Sequence, residues 1–466
     1  MVFSSISFLY YFLPILLLIY FLVPSKFRNI VLLVFSLIFY FYGEPKYIWI
    51  LILSCIINYI FGLLIEKNLH KKFAKIYLIL AVIINLGLLC YFKYINFFID
   101  NINNLFKTNM SLFNIVMPIG ISFFTFQTLS YVIDVYKKRV GASHNFLDFA
   151  TYVCLFPQLV AGPIVRYSSI DEELKTRKVS FELFGEGVKR FVIGLSKKVL
   201  IANVIGEMCN ILLDLPNLTV LSYILVAIGF TLQIYFDFSG YSDMAIGLGK
   251  MFGFNFLENF NYPLVASSIT DFWRRWHISL SSFFRDYVYI PLGGNRVNKI
   301  KFIRNILVVW LLTGFWHGAA WNFIIWGLFF GVFLLLEKFF YKNFLDKHKI
   351  IGHVYTLFLV IISFVIFNAD SFNYIINFMK SLFGFNNLAF ANKEVLYYFK
   401  SYFWIIIISI ITATPILKNI INKLKEIKGL GKVLDVLEVL YYLILLLVVT
   451  AFLIDASFNP FLYFRF

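Results

Sequence analysis

Long apolar stretches alternate with short polar loops along almost the whole chain. A helix that crosses a bilayer needs about 17–25 mostly apolar residues. Runs of that kind lie at roughly 5–23, 28–43, 47–65, 76–96, 113–135, 191–213, 219–236, 303–318, 321–340, 352–369, 402–417 and 437–455. Another apolar run near 146–165 carries Pro157, Gly162 and Pro163. It predicts a re-entrant or broken helix, which only surrounding protein can bury. The stretch 237–302 is different in kind, being dense in Trp, Arg, Asp and Tyr. It is too polar to cross and too apolar to float free, so it predicts a partly embedded surface helix or a re-entrant hairpin.

The loops orient these spans. Lys26 and Arg28 follow the first, Lys67, Lys71, Lys72 and Lys75 the third, and Lys137, Lys138 and Arg139 the fifth. The intervening loops are poor in basic residues. The positive-inside rule then places both termini extracytoplasmic and keeps 237–302 and 418–436 inside.

Composition agrees. Of 466 residues, 61% are apolar and 14% charged, too little charge to cover a water-facing surface. The chain reads as one integral membrane domain, 1–466, in a cell membrane and surrounded by lipid. The net charge of +16 is first a consequence of basic cytoplasmic loops, and nucleic acid is not expected as a partner. Cys55, Cys90, Cys154 and Cys209 lie far apart without paired spacing, so neither a disulfide framework nor a metal site is expected. The first run lacks a basic flank and a cleavage motif and reads as a span.

His317 stands inside the apolar run from Ile303 to Phe340, in Thr313-Gly314-Phe315-Trp316-His317-Gly318. An ionisable group there is expensive and reads as functional by default. Imidazole is suited to move a proton near neutral pH. His277, in Asp271-Phe272-Trp273-Arg274-Arg275-Trp276-His277-Ile278-Ser279, is the second candidate. One imidazole would act as general base on a hydroxyl, and the other would orient a substrate or polarise a carbonyl. The blander readings are a core histidine capping a carbonyl and an interfacial histidine in an aromatic belt. Asp237 and Asp243 sit six residues apart, off one helix face, which favours structural roles.

These motifs, together with Phe284-Arg285-Asp286-Tyr287-Val288-Tyr289, Pro291-Leu292-Gly293-Gly294, Phe156-Pro157-Gln158-Leu159-Val160-Ala161-Gly162-Pro163 and Asp237-Phe238-Ser239-Gly240-Tyr241-Ser242-Asp243, resemble the membrane-bound O-acyltransferase (MBOAT) family. Within it they are most similar to the alginate O-acetyltransferase AlgI-like branch, with the D-alanyl transfer protein DltB as a cousin. The resemblance implies an all-α polytopic fold of about 11–13 transmembrane or re-entrant helices around a central funnel, with residues 110–340 as the catalytic core.

It also implies acyl transfer from a cytoplasmic thioester, acetyl-CoA, with no bound cofactor. The acceptor would be an extracytoplasmic polysaccharide, reached through a partner enzyme of the SGNH type. His317 matches the family's active-site histidine and His277 its second motif position. Arg274, Arg275, Arg285 and Arg296 are candidates for the donor's phosphates, since guanidinium pairs with phosphate. Positive-inside topology with interfacial anchoring is the blander reading of each of them. The terminal Phe461-Leu462-Tyr463-Phe464-Arg465-Phe466 resembles the end of a small partner peptide of DltB, and makes Tyr463 a candidate acyl relay.

Two other readings stay open. One is D-alanyl or other acyl transfer to a wall polymer. The other is a transporter or flippase that uses His317 as a proton relay; the lack of pseudo-symmetric halves speaks against it.

Overall fold

The computed structural model describes residues 2–160, 162–427 and 430–455. Among them there are helices and no strands, as an all-α polytopic protein requires. Eight helices are long and apolar enough to cross a membrane: Ser25–Gly43, Ile48–Lys67, Phe73–Phe106, Val220–Met251, Trp321–Lys347, Lys349–Phe367, Lys393–Thr412 and Leu430–Asp455. A shorter apolar helix covers Phe8–Leu22. The chain is a multi-pass membrane protein.

Two boundaries differ from the hydropathy reading. The run at 113–135 becomes helical only at Ile121. Pro118 and the left-handed Gly120 (φ 76°) keep the preceding chain out of the helix. Ile121–Tyr136 is therefore an interior helix, with Ser122, Thr125, Gln127, Thr128, Ser130 and Asp134 all buried along it. The span expected to end at 236 continues to Met251, so Asp237 and Asp243 lie within a long helix and not in a surface stretch. The run near 146–165 is broken as expected, into Phe146–Cys154 and Phe156–Leu159, with Pro157 in the first turn of the second piece.

The chain divides into two compact units. The first comprises residues 1–191 and 244–257. Its interior joins helices by amides: Asn58 and Asn85 exchange hydrogen bonds of 3.0 and 2.8 Å, and the Thr128 hydroxyl donates to Asn85. Asn29, Tyr20 and the Phe252 carbonyl gather around the Arg177 guanidinium.

The second unit comprises residues 192–243 and 258–466. Its core is aromatic, with Trp273, Trp276, Trp310, Trp326, Phe330, Phe364 and Phe367 buried together. Helices Lys299–His317 and Trp321–Leu336 pack backbone to backbone. A Cβ on Gly314 would strike the Phe323 carbonyl, and one on Gly327 would strike that of Trp310. This contact admits only glycine, and it brings Trp326 up to the end of the first helix.

Candidate functional site

Both motif histidines lie in the second unit, and the site starts from two short helices. Ile269–Arg275 and Ile278–Phe284 are seven residues each, too short to hold themselves. Ser268 caps the first, accepting from the Asp271 N–H at 3.0 Å. Glu337, on another helix, takes the first two orphan donors, the N–H groups of Ile269 and Thr270, and the Thr270 hydroxyl as well. A carboxylate also suits the positive end of a helix.

His277 forms the joint between the two helices. Its backbone is left-handed (φ 43°, ψ 54°), a conformation that costs a non-glycine residue roughly 1–2 kcal/mol. Neighbouring chain holds it there. The Asn261 N–H donates to the Arg275 carbonyl, and the Ile278 N–H to that of Asn259. The imidazole is fully buried. Phe238 meets it edge-on at 4.7 Å, Phe260 stacks at 6.5 Å, and Trp316 lies at 6.0 Å between ring centroids. Burial pushes its pKa down to about 3, so the ring is neutral at physiological pH.

His317 is the last residue of Lys299–His317, and Gly318 ends that helix in extended conformation. The ring is 4% exposed and sits among aromatic edges: Trp326 at 4.9 Å, Trp316 at 5.1 Å and Phe367 at 5.3 Å. The centroids of His277 and His317 are 6.5 Å apart. Two residues 40 positions apart in sequence thus come together within one set of aromatic side chains. Imidazole in such a place can take and return a proton.

Beside them a pocket of about 150 Å³ runs between Trp273, Trp310 and Thr313 and the outer residues Arg285 and Tyr289. Its wall is almost wholly apolar.

The four candidate arginines separate into kinds. Arg275 is held by Asp271 at 3.0 Å, and Arg285 by Asp286 at 2.7 Å. Arg274 and Arg296 are exposed. Tyr463 lies outside the described residues.

Sequence reasoning passed over Asn259, Glu337 and Lys198. Asn259 carries no pattern that marks it. Lys197 and Lys198, however, sit inside an apolar run and could have been matched with Asp237 and Asp243 in the next one. The structure pairs Lys198 with Asp237 at 2.6 Å and Lys197 with Asp243 at 2.7 Å.

Comparison with known proteins identifies the family. Residues 37–376 match the membrane-bound O-acyltransferase family, MBOAT. A probable alginate O-acetylase AlgI of Pseudomonas aeruginosa is 42% identical over 391 residues, 83% of this chain and 75% of that protein. A peptidoglycan O-acetyltransferase of Helicobacter pylori is 36% identical over 431 residues, 84% of this chain and 81% of that protein. A teichoic acid D-alanyltransferase of Bacillus subtilis is 32% identical over 286 residues, 56% of this chain and 71% of that protein. With a family match that spans both motif histidines and most of the helices, the chain belongs to the membrane-bound O-acyltransferase family and is a membrane O-acyltransferase.

Proposed function

We propose that this protein takes acetyl from acetyl-CoA on the cytoplasmic side and passes it toward the hydroxyls of an extracytoplasmic polysaccharide, with a partner enzyme of the SGNH type completing the transfer. In this reading the protein lies in the cytoplasmic membrane with both termini outside. The observation that carries the reading is the buried pair His277–His317, 6.5 Å apart, in a chain similar to an alginate O-acetylase and a peptidoglycan O-acetyltransferase.

The chemistry uses this pair, the donor thioester and an acceptor hydroxyl. His317 takes the proton of the acceptor hydroxyl as its oxygen attacks the thioester carbonyl carbon. A C–O bond forms, the C–S bond breaks, and the departing thiolate receives the proton from the imidazolium. Aromatic walls keep water from competing for the acyl group. The pocket beside Thr313, one turn before His317, has an apolar lining that suits the thin arm of the donor. Exposed Arg274 and Arg296 are placed to meet its phosphates. Tyr463 serves as relay on the outer side, and Tyr463→Phe then abolishes acetylation with protein level unchanged.

The test is transfer from radiolabelled acetyl-CoA by the purified full-length protein, beside a D-alanyl thioester of a carrier protein. Acetyl transfer that disappears in His317→Ala supports the reading. Transfer of D-alanine alone would replace the donor, and absence of both in a folded protein would return the transporter reading.

A further inference from the structure

The two imidazoles are not equivalent, because one of them is held by Asn259. This side chain is completely buried, and its Oδ1 collects three groups. The Ser279 N–H donates at 3.1 Å and the Ser279 hydroxyl at 2.9 Å, and His277 Nδ1 lies at 3.2 Å. The backbone N–H settles which end of the amide points here. It can only donate, so the Asn259 atom facing it must be the carbonyl oxygen and not the NH2 group. A carbonyl oxygen can only accept, so the His277 nitrogen beside it carries the hydrogen.

We infer that Asn259 is a positioning residue that fixes His277 with its proton on Nδ1, leaving a lone pair on Nε2, so that His277 serves the reaction by accepting a hydrogen bond from a substrate O–H or N–H other than the one whose proton His317 takes. This inference rests on the acyl-transfer reading of the site. It decides between the two roles open to the second histidine. A ring with a bare Nε2 cannot donate to a carbonyl oxygen, so His277 does not polarise the thioester.

The backbone supports the assignment. The Asn259 carbonyl also accepts from the Ile278 N–H at 3.0 Å, so one residue holds both the left-handed joint at His277 and the tautomer of its ring. Its ring contacts include His317, which is titratable, and Phe238, Phe260 and Trp316, which carry no charge. A carboxylate in place of the Asn259 amide would therefore be a new charge at the ring. It would keep the acceptor but stabilise the imidazolium, so the lone pair would be lost at a higher pH.

The experiment uses the full-length protein in detergent and measures acetyl transfer from acetyl-CoA as a function of pH. Asn259→Ala releases the tautomer, and kcat falls about 100-fold while KM for acetyl-CoA stays constant. Asn259→Asp retains activity at high pH, and the acid limb of kcat moves upward by about one pH unit or more. A wild-type kcat in Asn259→Ala, or a wild-type pH profile in Asn259→Asp, overturns the inference. If Asn259→Ala does not accumulate, the Asn259→Asp profile decides. His277→Ala separates the two levels. Full transfer in that variant removes His277 from the site and overturns the inference while the acyl-transfer reading stands; loss there with no effect at Asn259 also sinks the inference alone, and no transfer by the folded wild-type protein sinks the reading beneath.

Discussion

Two sets of polar side chains are buried in the second unit, and they are buried for opposite ends. Lys198 and Asp237, 4% and 3% exposed at the side chain, close on each other at 2.6 Å. Each is the other's counter-charge, and the pair spends its interaction on joining two helices. His277 and His317 come together among aromatic edges. Burial keeps the His277 ring neutral. A closed ion pair is a structural device; in the proposed reading the two imidazoles are a chemical one.

The largest expected effect tests the chemical half. His317→Ala removes the proton acceptor and lowers acetyl transfer by about 10²–10⁴-fold, with accumulation in the membrane and melting temperature close to wild type. A variant that transfers at the wild-type rate would erase the distinction.

The structural half is tested next. Lys198→Met leaves Asp237 buried without this partner, and stability falls by about 3–5 kcal/mol. Lys198→Met combined with Asp237→Leu recovers much of that loss, because two apolar groups do not need each other's charge. Thermal unfolding in detergent reads both. A single variant as stable as wild type, or a double variant worse than the single, would show that the pair is not a joint.

Glu337 stands between the two classes: a buried charge that serves the site by holding the helix in front of His277. Glu337→Ala leaves two backbone N–H groups without their acceptor and costs about 1–3 kcal/mol. Glu337→Gln keeps one acceptor and loses less. If both variants melt alike at the wild-type temperature, the cap is not holding the helix.

Much of this was legible in the sequence, and the reasons for the rest are physical. Hydropathy found the spans because lipid demands long apolar runs. It misplaced the start of Ile121–Tyr136 because protein, not lipid, covers that helix. It cut Val220–Met251 at Asp237 because hydropathy counts a charge and cannot see the lysine that neutralises it. His277 and His317 were conspicuous as costly groups beside Trp residues. Asn259 was invisible, since its role comes from a backbone joint 18 residues downstream. The AlgI-like motifs carried the family, while the separate duties of Arg274 and Arg275 needed coordinates.

Those two neighbours give the smallest effect and the finest contrast. Arg275 is tied to Asp271 and also donates to the Asn261 carbonyl at 3.4 Å, so its guanidinium braces the loop that carries Asn259. Arg274 is exposed, with its charge turned to solvent, where a donor phosphate can meet it. An exposed charge contact contributes about 0.2–1 kcal/mol. Arg274→Ala therefore raises KM for acetyl-CoA by roughly twofold to fivefold, leaves kcat alone, and loses its effect at high ionic strength, where such contacts are screened. Arg275→Ala does the reverse, lowering the melting temperature with KM little changed. Equal shifts in KM for the two variants, or a salt-independent effect at Arg274, would mean that neither arginine meets the donor and that both belong to the structural class.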